Sequence, residues 1–471
     1  MSSAADFASP PSEAGTSPWR AWLKRYAVPL LAAVFLVAYA PAFFRDYQDS
    51  QWKLYCKAAT RLAAREMIHV DEKYAYAYPP AMAMLSMPLA PLPELASHAV
   101  WYLINVAAVG VLVIASWRLA GGASLLGLTG TWRWVFIMGM VLAGRHLISP
   151  LENQQYDLVI AAFLMTGCLT LVRGREWTGG LLMGLAASMK LTPVLFVPYL
   201  VWRGRPKAAA AVVAVAALLN VMPDALWPQA NGNTYLGDWH RNCIRTVVEG
   251  APGDWLHTKA NILNQSLAGM VNRAWTHGLP LNYALYLPKK EGLSPEQAAE
   301  SRWFLYSLEL LLAGITACRM GRAFQREPDV AAQPGISVPL NRLRQSFEFS
   351  AVMCLMILFS PMSSKAHYAP LLLPTFLLVR IALEERTRIA RGLVAMLTMV
   401  GPLTTKGILG FKLGVLALGW GIPTLYPLIA LIGCWRAMVK EPKPADSRPT
   451  TPPAPHFKLR RHAPGEPLRR G

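Results

Sequence analysis

The sequence predicts an all-α polytopic membrane protein, a helical bundle whose exterior loops carry the active site. Three observations predict it. Of 471 residues, 54% are hydrophobic and only 15% are charged. The apolar residues come in runs of about 15 to 23, the length of a bilayer-crossing helix. The Lys and Arg residues, which give a net charge of +19, gather at the ends of those runs and in the tail. Positive-inside topology accounts for that placement, so the charge gives no support to a nucleic-acid partner. The six cysteines lack metal-ligand spacing: Cys168, Cys318, Cys354 and Cys434 fall in apolar runs, while Cys56 and Cys243 lie in segments read as exterior and leave a disulfide open.

Taken in order, residues 1–24 are small and polar and are expected to be disordered in the cytosol. The membrane domain follows over 25–435, with exterior loops at 45–95 and 223–300. Arg20, Lys24 and Arg25 precede the first span, Tyr26 to Phe44, which sends the following loop outside. In that loop Trp52 to Ala64 has the spacing of a helix lying on the membrane surface, and Ala81 to Leu92 is apolar but too short to cross. His98 to Ser116, Trp134 to Ile148 and Leu158 to Val172 read as spans, with a short exterior turn from Ser149 to Asp157 between the last two. Trp177 to Trp202 is basic at both ends, so it reads as a hairpin of two short helices broken at Lys190-Leu191-Thr192-Pro193. Lys207 to Met222 leads out to the large loop, and Trp303 to Cys318, Phe347 to Phe359, Tyr368 to Leu383, Ile389 to Leu403 and Leu413 to Trp435 complete the spans. Residues 436–471 form a Pro-rich basic tail expected in the cytosol near anionic headgroups. Both termini are therefore expected inside, and the protein in the cell membrane.

The segments that look chemical all fall on the exterior side of this topology. They are Asp49 (with Asp46 as its rival), Tyr78-Pro79-Pro80, Glu152-Asn153-Gln154, Lys190, Asn264-Gln265-Ser266 and Ser363-Ser364-Lys365-Ala366-His367-Tyr368. One carboxylate can serve as a base, while cations and amides hold an anion. Asp49, just beyond a membrane helix, is the candidate base. Lys190 inside an apolar hairpin needs a functional reason or a partner. Lys365 and His367 suit a phosphate at the interface. No phosphate-binding Gly-rich loop, zinc spacing or Ser-His-Asp order is present, so no metal or cofactor is assigned.

These stretches resemble glycosyltransferase family 87, polyprenol-phosphate-sugar-dependent membrane transferases that include mannosyltransferases. The resemblance rests on Asp49, Tyr55, Ala58 and Ala59; on Tyr76-Ala77-Tyr78-Pro79-Pro80; on Glu152-Asn153-Gln154; on Gly180 through Lys190-Leu191-Thr192-Pro193; on Asn264-Gln265-Ser266-Leu267 with Arg273; and on Ser360-Pro361 through His367-Tyr368. The spacing from Asp49 to Ala58-Ala59 is slightly long for the family, and Ser364 and Ala366 replace a Trp and a second His in the late turn. The resemblance implies a GT-C-type bundle and an inverting transfer of a hexose, mannose by likeness, from a polyprenyl-phosphate donor to a lipid or glycan acceptor. It implies Asp49 as base, Lys190, Lys365 and His367 on the donor phosphate, and Tyr78, Glu152, Asn153, Gln154, Asn264, Gln265 and Arg273 on the substrates. A monophosphate leaving group held by cations needs no metal, so activity is expected to survive EDTA. The alternative, a lipid or glycolipid transporter or flippase, also fits broken helices with buried charge, although no internal repeat is visible.

Overall fold

The computed structural model describes residues 50–69, 76–254, 262–277, 293–321 and 340–439, together with Trp22, Tyr26, Leu30, Val37 and Ala40. Asp46, Asp49, most of the first predicted span and the tail lie outside the described residues. Six helices among those described are long and apolar enough to cross a membrane.

The order is α1 (Gln51–Ala63), α2 (Pro80–Ser86), α3 (Glu94–Leu119), α4 (Gly130–Glu152), α5 (Asp157–Val172), α6 (Glu176–Met189), α7 (Phe196–Trp202) and α8 (Pro206–Leu226). Then come α9 (Tyr235–Trp239), α10 (Arg245–Glu249), α11 (Leu267–His277), α12 (Pro295–Met320), α13 (Leu340–Leu358), α14 (Leu372–Glu384), α15 (Arg388–Val400), α16 (Lys406–Gly419) and α17 (Leu425–Val439). Helix α1 forms where the spacing predicts a helix: Trp52, Tyr55, Ala58, Ala59 and Leu62 form one buried stripe packed into the protein, and Ser50 caps its start.

The centre is a tight layer of α5, α6 and α8. Glycines make it tight. A Cβ on Gly180 would meet the Ala208 carbonyl oxygen at 2.5 Å, one on Gly184 the Val215 Cβ at 2.7 Å, and one on Gly167 the Gly179 carbonyl at 3.1 Å. Backbones approach this closely in membranes only where side chains are absent.

The predicted hairpin is present. Helix α6 stops at Lys190, whose backbone is extended, and a 3₁₀ turn over Thr192–Leu195 leads into α7. Arg205 donates to the Leu171 carbonyl (2.7 Å), so the residues after α7 return to the end from which α6 started. That end is stitched together by further arginines. Arg203 bonds Glu348 and the Met320 carbonyl, Arg344 reaches the same carbonyl, and Arg380 donates to the Ala120 carbonyl. The buried Glu348 thereby gains Arg203, Arg344 and the Tyr199 hydroxyl as partners, as a carboxylate at this depth requires.

Of the boundaries that differ from expectation, two bear on the site. The exterior turn between α4 and α5 is shorter than Ser149 to Asp157, because α4 runs through Pro150 to Glu152 and only Asn153–Tyr156 turn. Gln154 makes that turn in the left-handed region (φ 54°). The apolar run Leu413 to Trp435 is not one span. Gly421 (φ 67°) and Pro423 break it, and α16 turns by 97° from the direction of α15. Both ends of α16 are held at the same end of the bundle: Lys365 donates to the Thr404 carbonyl, while Gln265 and Arg273 donate to the Leu418 and Gly419 carbonyls. Helix α16 therefore lies across the bundle, with Ile408, Phe411 and Leu413 exposed, and only α17 crosses back.

Candidate active site

Antiparallel packing of α5 and α6 brings the first residue of one beside the residue just after the other. Asp157 opens α5, where helix N-termini favour negative charge, and Lys190 follows α6, where C-termini favour positive charge. Lys190 Nζ donates to Asp157 Oδ1 at 2.8 Å, with side chains only 17% and 6% exposed. At that burial neither charge is tolerable without the other.

His367 completes the group. Its Nδ1 accepts from the Ser364 backbone amide (3.2 Å), which leaves Nε2 to carry the proton, and Nε2 lies 3.9 Å from Asp157 Oδ2. Asp157, Lys190 and His367 line a small, partly open cavity together with Thr192, Ser360 and Ser363. The cavity has an apolar side, from Ile160, Met356 and Ile357, and a polar side with a cation and an N–H donor.

A second polar chain stands next to this cavity. Tyr55 donates to the Tyr78 hydroxyl (3.1 Å), and Tyr78 donates to Gln51 Oε1 (3.5 Å). Burial and then the Asp157 carboxylate push the Tyr78 phenol above its ordinary value, so the hydroxyls stay protonated beside the carboxylate. His69 supports this segment from behind. Its Nε2 donates to the Tyr78 carbonyl (3.0 Å), Nδ1 is buried with no partner among the described residues, and burial lowers its pKa to about 4. The large loop clasps the same segment through backbone carbonyls: Trp239 donates to Ala77, Asn242 to His69 and the Cys243 thiol to Tyr76. Cys56 and Cys243 are both free thiols, so the disulfide left open by the sequence is not formed.

The other expected site residues are distributed differently. Asn264 and Gln265 are fully buried and spend their groups on backbone: Asn264 Nδ2 donates to the Pro361 carbonyl (2.8 Å), Asn264 Oδ1 accepts from Ser363 N (3.1 Å), and Gln265 Nε2 donates to the Leu418 carbonyl. Arg273, whose pKa burial lowers to about 10, donates to the Asn264 and Gly419 carbonyls. These three tie the large loop to the Ser360–Ser363 turn and to the end of α16, and so shape one wall of the cavity from outside it. Glu152 pairs with Arg145 (2.6 Å), Asn153 caps α4 through Ser149, and Gln154 is buried with its carbonyl on Trp101. None of these three lines the cavity, and neither does Lys365, which reaches Thr404.

The residue that sequence reasoning missed is Asp157, three positions beyond Gln154. The signal was available: a lysine in an apolar hairpin demands a counterion, and Asp157 is the acid that opens the preceding antiparallel helix.

The chain is 30% identical over 146 residues to a Mycobacterium tuberculosis (strain CDC 1551 / Oshkosh) polyprenol-phosphate-mannose-dependent alpha-(1-2)-phosphatidylinositol pentamannoside mannosyltransferase. The match takes in 31% of this chain and 32% of that relative, so it spans about a third of either protein. No solved structure matches. The family model described as glycosyltransferase family 87 matches residues 76–333, more than half of the chain and inclusive of Tyr78, Asp157, Lys190 and Arg273. With a bundle of helices long and apolar enough to cross a membrane, the chain belongs to glycosyltransferase family 87.

Proposed function

We propose that this protein transfers a hexose, mannose by likeness to its mycobacterial relative, from a polyprenyl-phosphate sugar to a lipid or glycan acceptor at the exterior face of the membrane. The observation that carries the reading is the Lys190–Asp157 pair with the His367 Nε2–H beside it in one cavity. A polyprenyl phosphate presents an anion at the end of an apolar chain, and this cavity offers donors beside an apolar wall. Asp157 occupies one of the three Lys190 hydrogens and fixes the ammonium, which leaves the other two for phosphate oxygens.

The base is Asp49. Asp157 is a poor candidate for that role, since its Oδ1 is already engaged by the Lys190 ammonium. Asp49 precedes Ser50, the cap of α1, and α1 presents Tyr55 to Tyr78 next to the cavity. In the reaction the acceptor hydroxyl gives its proton to Asp49 as its oxygen bonds to the anomeric carbon. The bond from that carbon to the phosphate oxygen breaks with its electron pair, and polyprenyl phosphate departs toward Lys190 and His367. Attack opposite the leaving group inverts the anomeric centre.

The test is reconstitution in lipid with polyprenyl-phosphate-mannose and a mannose-accepting glycolipid. Transfer that is lost in Asp49→Asn and retained in Asp46→Asn supports the reading. Transfer that survives Asp49→Asn removes Asp49 as base, and a wild-type protein that uses only a nucleotide sugar removes the donor.

A further inference from the structure

Asparagine in a membrane helix ordinarily bonds back to its own backbone, as Asn105 does to the Trp101 carbonyl (3.0 Å). Asn220, near the end of α8, makes that bond to Ala216 (2.8 Å) and two more to other helices. Its Oδ1 accepts from Ala81 N (3.0 Å), and its second Nδ2 hydrogen goes to the Ser188 carbonyl (3.3 Å). Its one carbonyl and both amide hydrogens are thus engaged.

The two extra partners are helix ends that lack caps of their own. Helix α2 begins Pro79-Pro80: Pro79, at the cap position, has no side-chain acceptor and Pro80 has no N–H, so Ala81 carries the first amide that needs one. Helix α6 is cut short at Lys190. Lys190 N satisfies the Ala186 carbonyl, and the Ser188 carbonyl is left for Asn220. Asn220 is therefore an N-cap for one helix and a C-cap for another, supplied by a third. The capped ends lead directly to the site: Tyr78 is three residues before Ala81, and Lys190 is two residues after Ser188.

We propose that Asn220 is a positioning residue for the transfer reaction, which sets the Tyr78–Pro80 segment on the acceptor side against Lys190 on the donor side. The proposal rests on the reading given under Proposed function, but the capping itself does not. Helix α8 is suited to the task because its close packing on Gly180 and Gly184 leaves it little freedom to shift.

The experiment compares wild type, Asn220→Ala, Asn220→Asp and the control Asn105→Ala in lipid nanodiscs, by backbone hydrogen exchange and by steady-state kinetics with each substrate varied. Asn220→Ala is expected to speed exchange in 81–86 and in 186–192 and to raise KM for donor and acceptor alike, each by about fivefold, the scale of one hydrogen bond. Asn220→Asp keeps the acceptor for Ala81 and loses the donors, so only 186–192 loosens and only the donor KM rises. Asn105→Ala leaves both segments as in wild type. Unchanged exchange in Asn220→Ala overturns the capping. Equal changes in both KM values for both variants overturn the positioning role in favour of general destabilisation. Should wild-type protein transfer no sugar, the functional reading falls while the exchange pattern still decides the capping.

Discussion

Lys190 and Asp157 pair across two helices at a depth where an unpaired charge costs several kcal/mol, so each residue has a structural and a chemical reason to be there. The two reasons separate in mutants. Lys190→Gln strands Asp157 and removes the proposed hydrogen-bond donor to the phosphate. Asp157→Asn/Lys190→Gln restores charge balance but not the donor. We expect transfer to fall by about a hundredfold or more in both, with thermal stability recovered in the double variant alone; recovery of transfer in the double variant would show that the pair serves only the fold. Lys190 stands out in the sequence because nothing apolar surrounds a lysine without cause. Asp157 did not, since an acid near a predicted turn looks solvated until the turn is known to end before it. Asn264, Gln265 and Arg273 mark the opposite limit. The sequence marked them as substrate-binding candidates, and packing shows their polar atoms engaged with backbone. His69 gives a prediction of its own. Its folded pKa of about 4 lies below the ordinary 6.5, so between those values the unfolded chain binds a proton that the native state refuses. Stability should fall by roughly 3 kcal/mol as pH drops through that window. His69→Gln, which retains a donor for the Tyr78 carbonyl, should flatten that part of the melting temperature against pH curve.

At the level of helices, α6 carries Lys190 and is held by contacts that tolerate no side chain. Gly180→Ala puts a methyl 2.5 Å from the Ala208 carbonyl oxygen, which is backbone and must move. We expect about 1–3 kcal/mol of destabilisation and a drop in transfer, as α6 is pushed from α8. Gly110→Ala on α3 meets nothing within 4 Å and should be neutral or slightly stabilising in the same unfolding measurement. The hairpin was legible because both of its flanks are basic and Pro193 interrupts it. The division of the last apolar run was not. Hydropathy sums over Leu413 to Trp435 without registering that Gly421 and Pro423 end one helix and start another, and two of the three hydrogen bonds that hold α16 across the bundle come from residues more than 140 positions upstream.

At the scale of the whole membrane domain, two ends differ in chemistry. One holds Arg203 and Arg344 on Glu348 and Arg205 on the Leu171 carbonyl, with Arg173 and Arg175 just after Leu171 and Arg319 just before Met320, and the other gathers Asp157, Lys190, His367 and the loop that clasps Tyr76–Tyr78. A positive-inside orientation puts the first end in the cytosol. In a Cys318→Ser background, Arg245→Cys should react with an impermeant maleimide in intact cells, and Arg175→Cys only after lysis. The reverse pattern would turn the molecule over and move the proposed reaction to the cytosolic face.

The hairpin has a further consequence, because both of its feet stand at the arginine-rich end while its tip holds Lys190. Each residue added to α6 between Gly184 and Lys190 would swing the ammonium about 100° around the axis and lift it about 1.5 Å. A single insertion points it away from Asp157. Four bring it nearly back into phase but about 6 Å too far along. The number of residues in α6 is thus a measuring rod for the cavity, and length as much as composition should limit how this stretch can vary.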